Sequence, residues 1–99
     1  MRLAVAPAAL DELHAATAFY TARADAQLGL AFAAEFERVT SLLLTNPKIG
    51  RVFRGNKRRF VMRRFPYNVI YQIALDELRI IAVAHQSRRP GYWAKRKET

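Results

Sequence analysis

Apolar positions recur along this chain with two different periods, and the change between them separates a helical first half from an extended second half. Residues 2–6 alternate weakly and predict a short opening strand. Pro7 follows, where its missing N–H is harmless in the first turn of a helix. Leu10, Leu13, Thr17 and Tyr20 then recur at helical spacing, which predicts a first amphipathic helix over 8–23 with Phe19 at the edge of its stripe. Asp11 and Glu12 read as carboxylates in its first turn, favourable to the helix dipole. A polar break at residues 23–26 precedes Leu28, Phe32, Phe36, Val39 and Leu43, whose steps of three and four residues give the strongest helical signal in the chain. This second helix ends at Asn46-Pro47, because proline restricts the residue before it and supplies no N–H. Two such helices form a hairpin whose apolar stripe needs a surface to cover it.

Beyond Pro47 the period becomes two. Gly50, Gly55 and Asn56 mark a loop, and extended segments follow over 59–65, 67–74 and 78–85. Pro66 punctuates the first, and Leu75-Asp76-Glu77 makes the tight connection between the other two. The middle segment sets Tyr67, Val69, Tyr71 and Ile73 on one face and Asn68, Ile70, Gln72 and Ala74 on the other. The last is apolar on both faces except near its ends, as a central strand would be. Residues 90–97 predict a short turn of helix carrying Tyr92 and Trp93. The expected fold is one α+β domain over 1–99. It has an N-terminal strand, a helical hairpin, an antiparallel three-stranded meander with the helices on one face, and a short C-terminal tail.

Composition narrows the function classes. A chain of 99 residues has room for one core, and without cysteine it forms no disulfide or thiolate metal site. Its histidines, His14 and His85, lie far apart in sequence, so no metal signature and no cofactor are expected. The apolar opening is cut short by Asp11 and Glu12, unlike a signal peptide, and no segment is long enough to cross a membrane. The expectation is a cytoplasmic protein with no membrane partner. Charge says more. Residues 1–50 carry four basic and five acidic side chains, a net of −1; residues 51–99 carry thirteen basic and three acidic, a net of +10. Arginine dominates that second half and binds phosphate or carboxylate bidentately, so a polyanion or an acidic protein is the expected partner.

Three pieces then stand in order: Asn46-Pro47-Lys48-Ile49-Gly50-Arg51, then Arg64-Phe65-Pro66-Tyr67-Asn68-Val69-Ile70-Tyr71, then Ala82-Val83-Ala84-His85 with Arg88-Arg89-Pro90 and Tyr92-Trp93. Their order and spacing resemble the RelE/ParE superfamily of plasmid-stabilisation toxins, over about residues 4–96. The resemblance implies a compact α+β toxin of a type II toxin–antitoxin pair, held inactive by a cognate antitoxin with an acidic C-terminal segment. It implies one of two targets: DNA gyrase, as for ParE-like toxins, or mRNA in the ribosome, which RelE-like toxins cut.

Metal-free RNA cleavage needs a base for the 2′-hydroxyl, cations for the phosphorane and a proton for the leaving oxygen. His85, Arg64, Arg89 and Tyr92 are the catalytic candidates. Arg58, Arg59, Arg63, Arg64, Asn68, Arg88, Arg89 and Trp93 are the candidates for binding. RelE-like nucleases carry an arginine after the first tyrosine of a Tyr-Arg-[Leu/Ile]-x-Tyr strand, whereas this chain has Asn68 there. Asparagine hydrogen-bonds a phosphate without neutralising it, which tilts the expectation toward gyrase. Structural alternatives stay open. His85 can serve as a strand-end histidine bonded to backbone, Trp93 can pack the tail onto the sheet, and the basic stretch can be a solvated rim. A non-toxic antitoxin-binding module or a general nucleic-acid-binding domain also fits the composition.

Overall fold

The computed structural model, which describes residues 1–96, realises the change of period as a sharp division. Its elements run β1 (Arg2–Val5), α1 (Pro7–Arg23), α2 (Ala26–Thr45), β2 (Arg51–Arg54), β3 (Lys57–Val61), β4 (Tyr67–Ala74) and β5 (Glu77–His85). Pro7 opens α1. Asp25 caps α2 by accepting the Leu28 N–H at 2.9 Å, so two residues suffice to reverse the chain between the helices. Close packing of the hairpin requires Gly29: a Cβ there would meet the Thr21 hydroxyl at 2.0 Å.

The strands form one sheet in the order β1-β5-β4-β3-β2. The expected meander is its centre, β3-β4-β5, all antiparallel. It is extended at both edges, so the sheet is mixed and larger than expected. β1 lies parallel to β5, and β2 pairs antiparallel with β3. Residues 51–54, expected in a loop, form that second edge. The glycine signals at Gly50 and Gly55 bracket a strand of four residues, too short to display a period. β3 also stops at Val61 rather than reaching residue 65. The chain turns there through Arg64 at φ 70°, which lets Met62 and Phe65 enter the core at 4% and 5% exposure.

A register shift between β4 and β5 opposes Ile70–Tyr71 to Ala82 and Ile80, leaving Ile81 as an extra residue. Leu78, Ile80 and Val83 therefore join the core with the helices, while Ile81, Ala82 and Ala84 join a second cluster with Ile70 and Trp93. The helix side is filled by Phe32, Phe36, Val39 and Leu43 of α2, as the period predicts. Phe32 lies within 5.0–5.4 Å of the Tyr20, Phe65 and Tyr67 rings, mostly edge-on. α1 realises part of the expected stripe, since Leu13 and Tyr20 pack on the core, but Leu10 gives way to alanines. Ala9, Leu13, Ala16 and Tyr20 face inward, and Leu10 is 40% exposed. Small residues at Ala9 and Ala16 let α1 sit closely on β5, so the larger leucine is displaced outward. Asp11 and Glu12 lie beyond the first turn of α1, which holds no acidic residue. The tail forms a run of turns over residues 90–95, with residue 97 of the expected segment outside the described residues. Among the described residues no helix is long and apolar enough to cross a membrane.

Tyr71, buried on β4, ties the loop after α2 to the sheet. Its hydroxyl donates to Pro47 O at 2.7 Å and accepts the Gly50 N–H at 2.9 Å. A Cβ on Gly50 would meet that hydroxyl at 2.5 Å, so only glycine lets the loop come this close. Arg58 completes the anchor by donating to Gly50 O at 2.8 Å and Lys48 O at 3.2 Å. Replacing Tyr71 by Phe strands both loop groups, and urea denaturation should show a loss of about 1–3 kcal/mol. An unchanged midpoint would remove this anchor from the account.

Candidate functional site

β1 stops pairing at Ile80, whereas β5 continues to His85. The next groups on that edge, Ile81 O and Val83 N–H, flank Ala82 as the pair a further residue of a parallel neighbour would engage. Two side chains engage them instead. Glu12, on the α1 turn that passes over β5, accepts the Val83 N–H at 3.0 Å. Arg96, from the tail, donates to Ile81 O at 3.2 Å. The two also form a bidentate ion pair at 2.9 and 2.8 Å. The Tyr92 hydroxyl donates to the remaining lone pair of Glu12. Burial alone would raise the Glu12 carboxyl, but the donors Arg96, Tyr92 and Val83 N–H, with the guanidinium charge, hold it below its usual value. The Tyr92 hydroxyl is pushed far above the ordinary tyrosine value by burial first, and then by its bond to Glu12.

This clasp holds the tail across the sheet face opposite the helices. Tyr92 N–H, Ala94 N–H and Arg96 N–H donate to Arg89 O, Gly91 O and Trp93 O, forming successive turns. Trp93, 3% exposed, packs with Ile70, Ile81, Ala82 and Ala84, so the packing alternative is the one it adopts. Between tail and sheet lies a hollow of about 80 Å³ lined by Arg59, Asn68, His85, Arg88, Arg89 and Tyr92 among others. Arg54 reaches its rim, since a Cβ on Gly91 would meet its guanidinium at 2.7 Å. No Asp or Glu lines the hollow, and among the described residues Arg54, Arg59, Arg88 and Arg89 have no carboxylate partner. Arg59 stacks over Phe53 at 4.8 Å and Arg88 over Tyr92 at 3.9 Å.

His85 sits where β5 ends, edge-on to Tyr67 at 4.9 Å between ring centroids. Its Nδ1 accepts the Ser87 N–H at 3.0 Å and lies 2.8 Å from the Ser87 hydroxyl. A backbone N–H only donates, so the neutral ring carries its proton on Nε2. Asn68 Oδ1 faces Gln86 Nε2 at 3.4 Å. The other basic candidates are elsewhere. Arg58 serves the Tyr71 loop. Arg63 gives its backbone N–H to Glu35, which Arg38 clamps at 2.7 and 2.8 Å. Arg64 lies over Phe65 and lines a groove with Asp25 and Leu28 at the helical turn.

The structure therefore joins Arg59, Asn68, His85, Arg88, Arg89 and Tyr92, and sets Arg58, Arg63 and Arg64 apart. Three residues of the site escaped the sequence reading. Arg54 was legible only as charge, because its strand was not. Glu12 and Arg96 carried no signal, since their partnership spans 84 residues.

Comparison with known proteins bears on the family and the fold. The sequence model of the family described as ParE toxin of type II toxin-antitoxin system, parDE, matches residues 3–90. The fold resembles the chromosomal ParDE TA system from P. aeruginosa with a TM-score of 0.76 and 18% identity, covering 86% of this chain and 95% of that one. It also resembles the isolated E. coli RelE toxin with a TM-score of 0.62 and 18% identity, covering 92% and 89%. No curated protein sequence matches the chain.

The Glu12 clasp makes a pH prediction. A depressed folded-state pKa contributes stability in full above the ordinary carboxyl value of 4.5 and loses it as pH falls through the lowered value. Glu12→Gln should therefore unfold roughly 1–3 kcal/mol more easily than the parent at neutral pH. Urea titrations at descending pH should show that gap closing below the ordinary value. A gap that stays constant into strong acid would mean that the charge of Glu12 contributes nothing.

Proposed function

This chain belongs to the ParE toxin family of type II toxin–antitoxin systems, and from that premise we propose that its target is DNA gyrase and that it acts without cutting RNA. The observation that carries the choice is that the two side chains best suited to move protons are committed to the fold. The lone pair of His85 Nδ1 is engaged by Ser87, and the Tyr92 hydroxyl is bound to Glu12 with its proton held more tightly than usual. A general base needs a lone pair free at the reacting hydroxyl, and a general acid needs a proton that leaves readily. Asn68 further denies the hollow the cation that RelE-like nucleases place on this strand, and Arg64 lines a different groove. What remains is a rigid, basic binding surface.

A cognate antitoxin with an acidic C-terminal segment fits the same chain. Thirteen of its seventeen basic side chains lie in the second half, and an acidic peptide complements that field. The neighbouring small gene product, co-expressed with this chain, should co-purify with it and relieve growth arrest. Growth arrest that the neighbour leaves unrelieved would count against the pairing.

Two assays on the purified chain separate the targets. Added to gyrase and relaxed plasmid, it should inhibit supercoiling; added to translating ribosomes, it should leave mRNA 5′ ends unchanged. Codon-specific cuts with normal supercoiling would replace this reading with ribosome-dependent mRNA cleavage.

A further inference from the structure

We propose that the hollow between tail and sheet is a docking site for the phosphodiester backbone of duplex DNA, held by Arg54, Arg59, Arg88 and Arg89. Four guanidinium groups gather around one small concavity that no carboxylate lines, in a chain whose second half carries a net +10. Cations that no carboxylate among the described residues pairs with create a field that a polyanion relieves. Two of them are already oriented by stacking, Arg59 on Phe53 and Arg88 on Tyr92, so less side-chain freedom is lost when an anion arrives. The hollow, about 80 Å³, has room for a few ordered waters or a phosphate group. Asn68 and the Nε2–H of His85 add neutral donors to its lining.

The same geometry argues for a duplex over a single strand. Proteins that read single-stranded RNA stack unpaired bases on exposed aromatic rings. Here Trp93 is 3% exposed, Phe53 lies under Arg59, and Tyr92 is flanked by Arg88 at 3.9 Å and Arg96 at 5.1 Å. The aromatic rings of this face serve the arginines, and the arginines face outward. Such a surface contacts phosphates and leaves bases unread, which suits a duplex whose bases are already stacked. This inference deepens the gyrase reading and rests on it for the source of the DNA: an enzyme that holds a duplex presents phosphates beside any protein that docks on it.

A short labelled duplex of mixed sequence tests the surface without gyrase. Fluorescence anisotropy over a range of salt concentrations should give a log–log slope of about −3 to −4, as expected when roughly four phosphates are neutralised. Arg59→Ala and Arg89→Ala should each reduce its magnitude by about 1, and Arg23→Ala, on α1, should leave it unchanged. Arg89 is exposed, so its variant keeps the fold, and thermal melting checks the other. Absent binding, or a slope that neither variant alters, would overturn the proposal. So would a preference for single-stranded RNA over the duplex that depends on the same arginines. Supercoiling that proceeds normally while duplex binding follows the predicted slopes would sink the gyrase reading and leave this site standing.

Discussion

One carboxylate joins the two ends of this molecule. Glu12 stands early in the chain, yet it accepts from Val83, Tyr92 and Arg96, which lie 71 to 84 residues further on. Burial works against its charge, and three sets of donors outweigh that penalty. The arrangement is cooperative because each partner needs the others. If the tail leaves, Glu12 loses its cation, Ile81 O on the edge of β5 loses Arg96 as its donor, and Trp93 gives up its packing. A part-buried charge without its partner is expensive, and that cost opposes release of the tail. The positions of Arg88 and Arg89 follow from that, since both lead into the tail.

The two faces of the sheet use aromatic rings in opposite ways. Toward the helices, Tyr20, Phe32, Phe65 and Tyr67 pack edge against face and close the core. Toward the tail, Phe53 and Tyr92 lie beneath guanidinium groups and hold them in place. The first use produces stability, and the second produces a surface of fixed cations. The tyrosines divide likewise. Tyr71 spends its hydroxyl on a loop and Tyr92 on Glu12.

Much of this was legible in the sequence. The stripe of α2 and the alternation of β4 are long enough to show their periods, and both are realised with their expected faces. The apolar run of β5 signals a central strand, although nothing in it signals the extra residue at Ile81. What was hidden is either short or distant. β2 has four residues between glycines, and the parallel pairing of β1 with β5 is a contact across most of the chain. On α1 the stripe is legible at Leu13 and Tyr20 and hidden at its start, because Leu10 outweighs Ala9 and Ala16 on any hydrophobicity scale while close packing on β5 favours the alanines. At the site, the gathering of arginines was visible as charge and the burial of Trp93 as one of two alternatives. Glu12 looked like a helix-dipole carboxylate, because its real partners lie in elements that only the fold brings near.

Glu12 stands in for a missing strand at the edge of β5. Native-state amide hydrogen exchange at Val83 examines it most directly. β1 ends its pairing at Ile80, so an uncapped Val83 N–H would face solvent at the sheet edge. With Glu12 accepting it, Val83 should exchange as slowly as amides in the interior of β4. Exchange at Val83 as fast as that of an open edge amide would contradict the account.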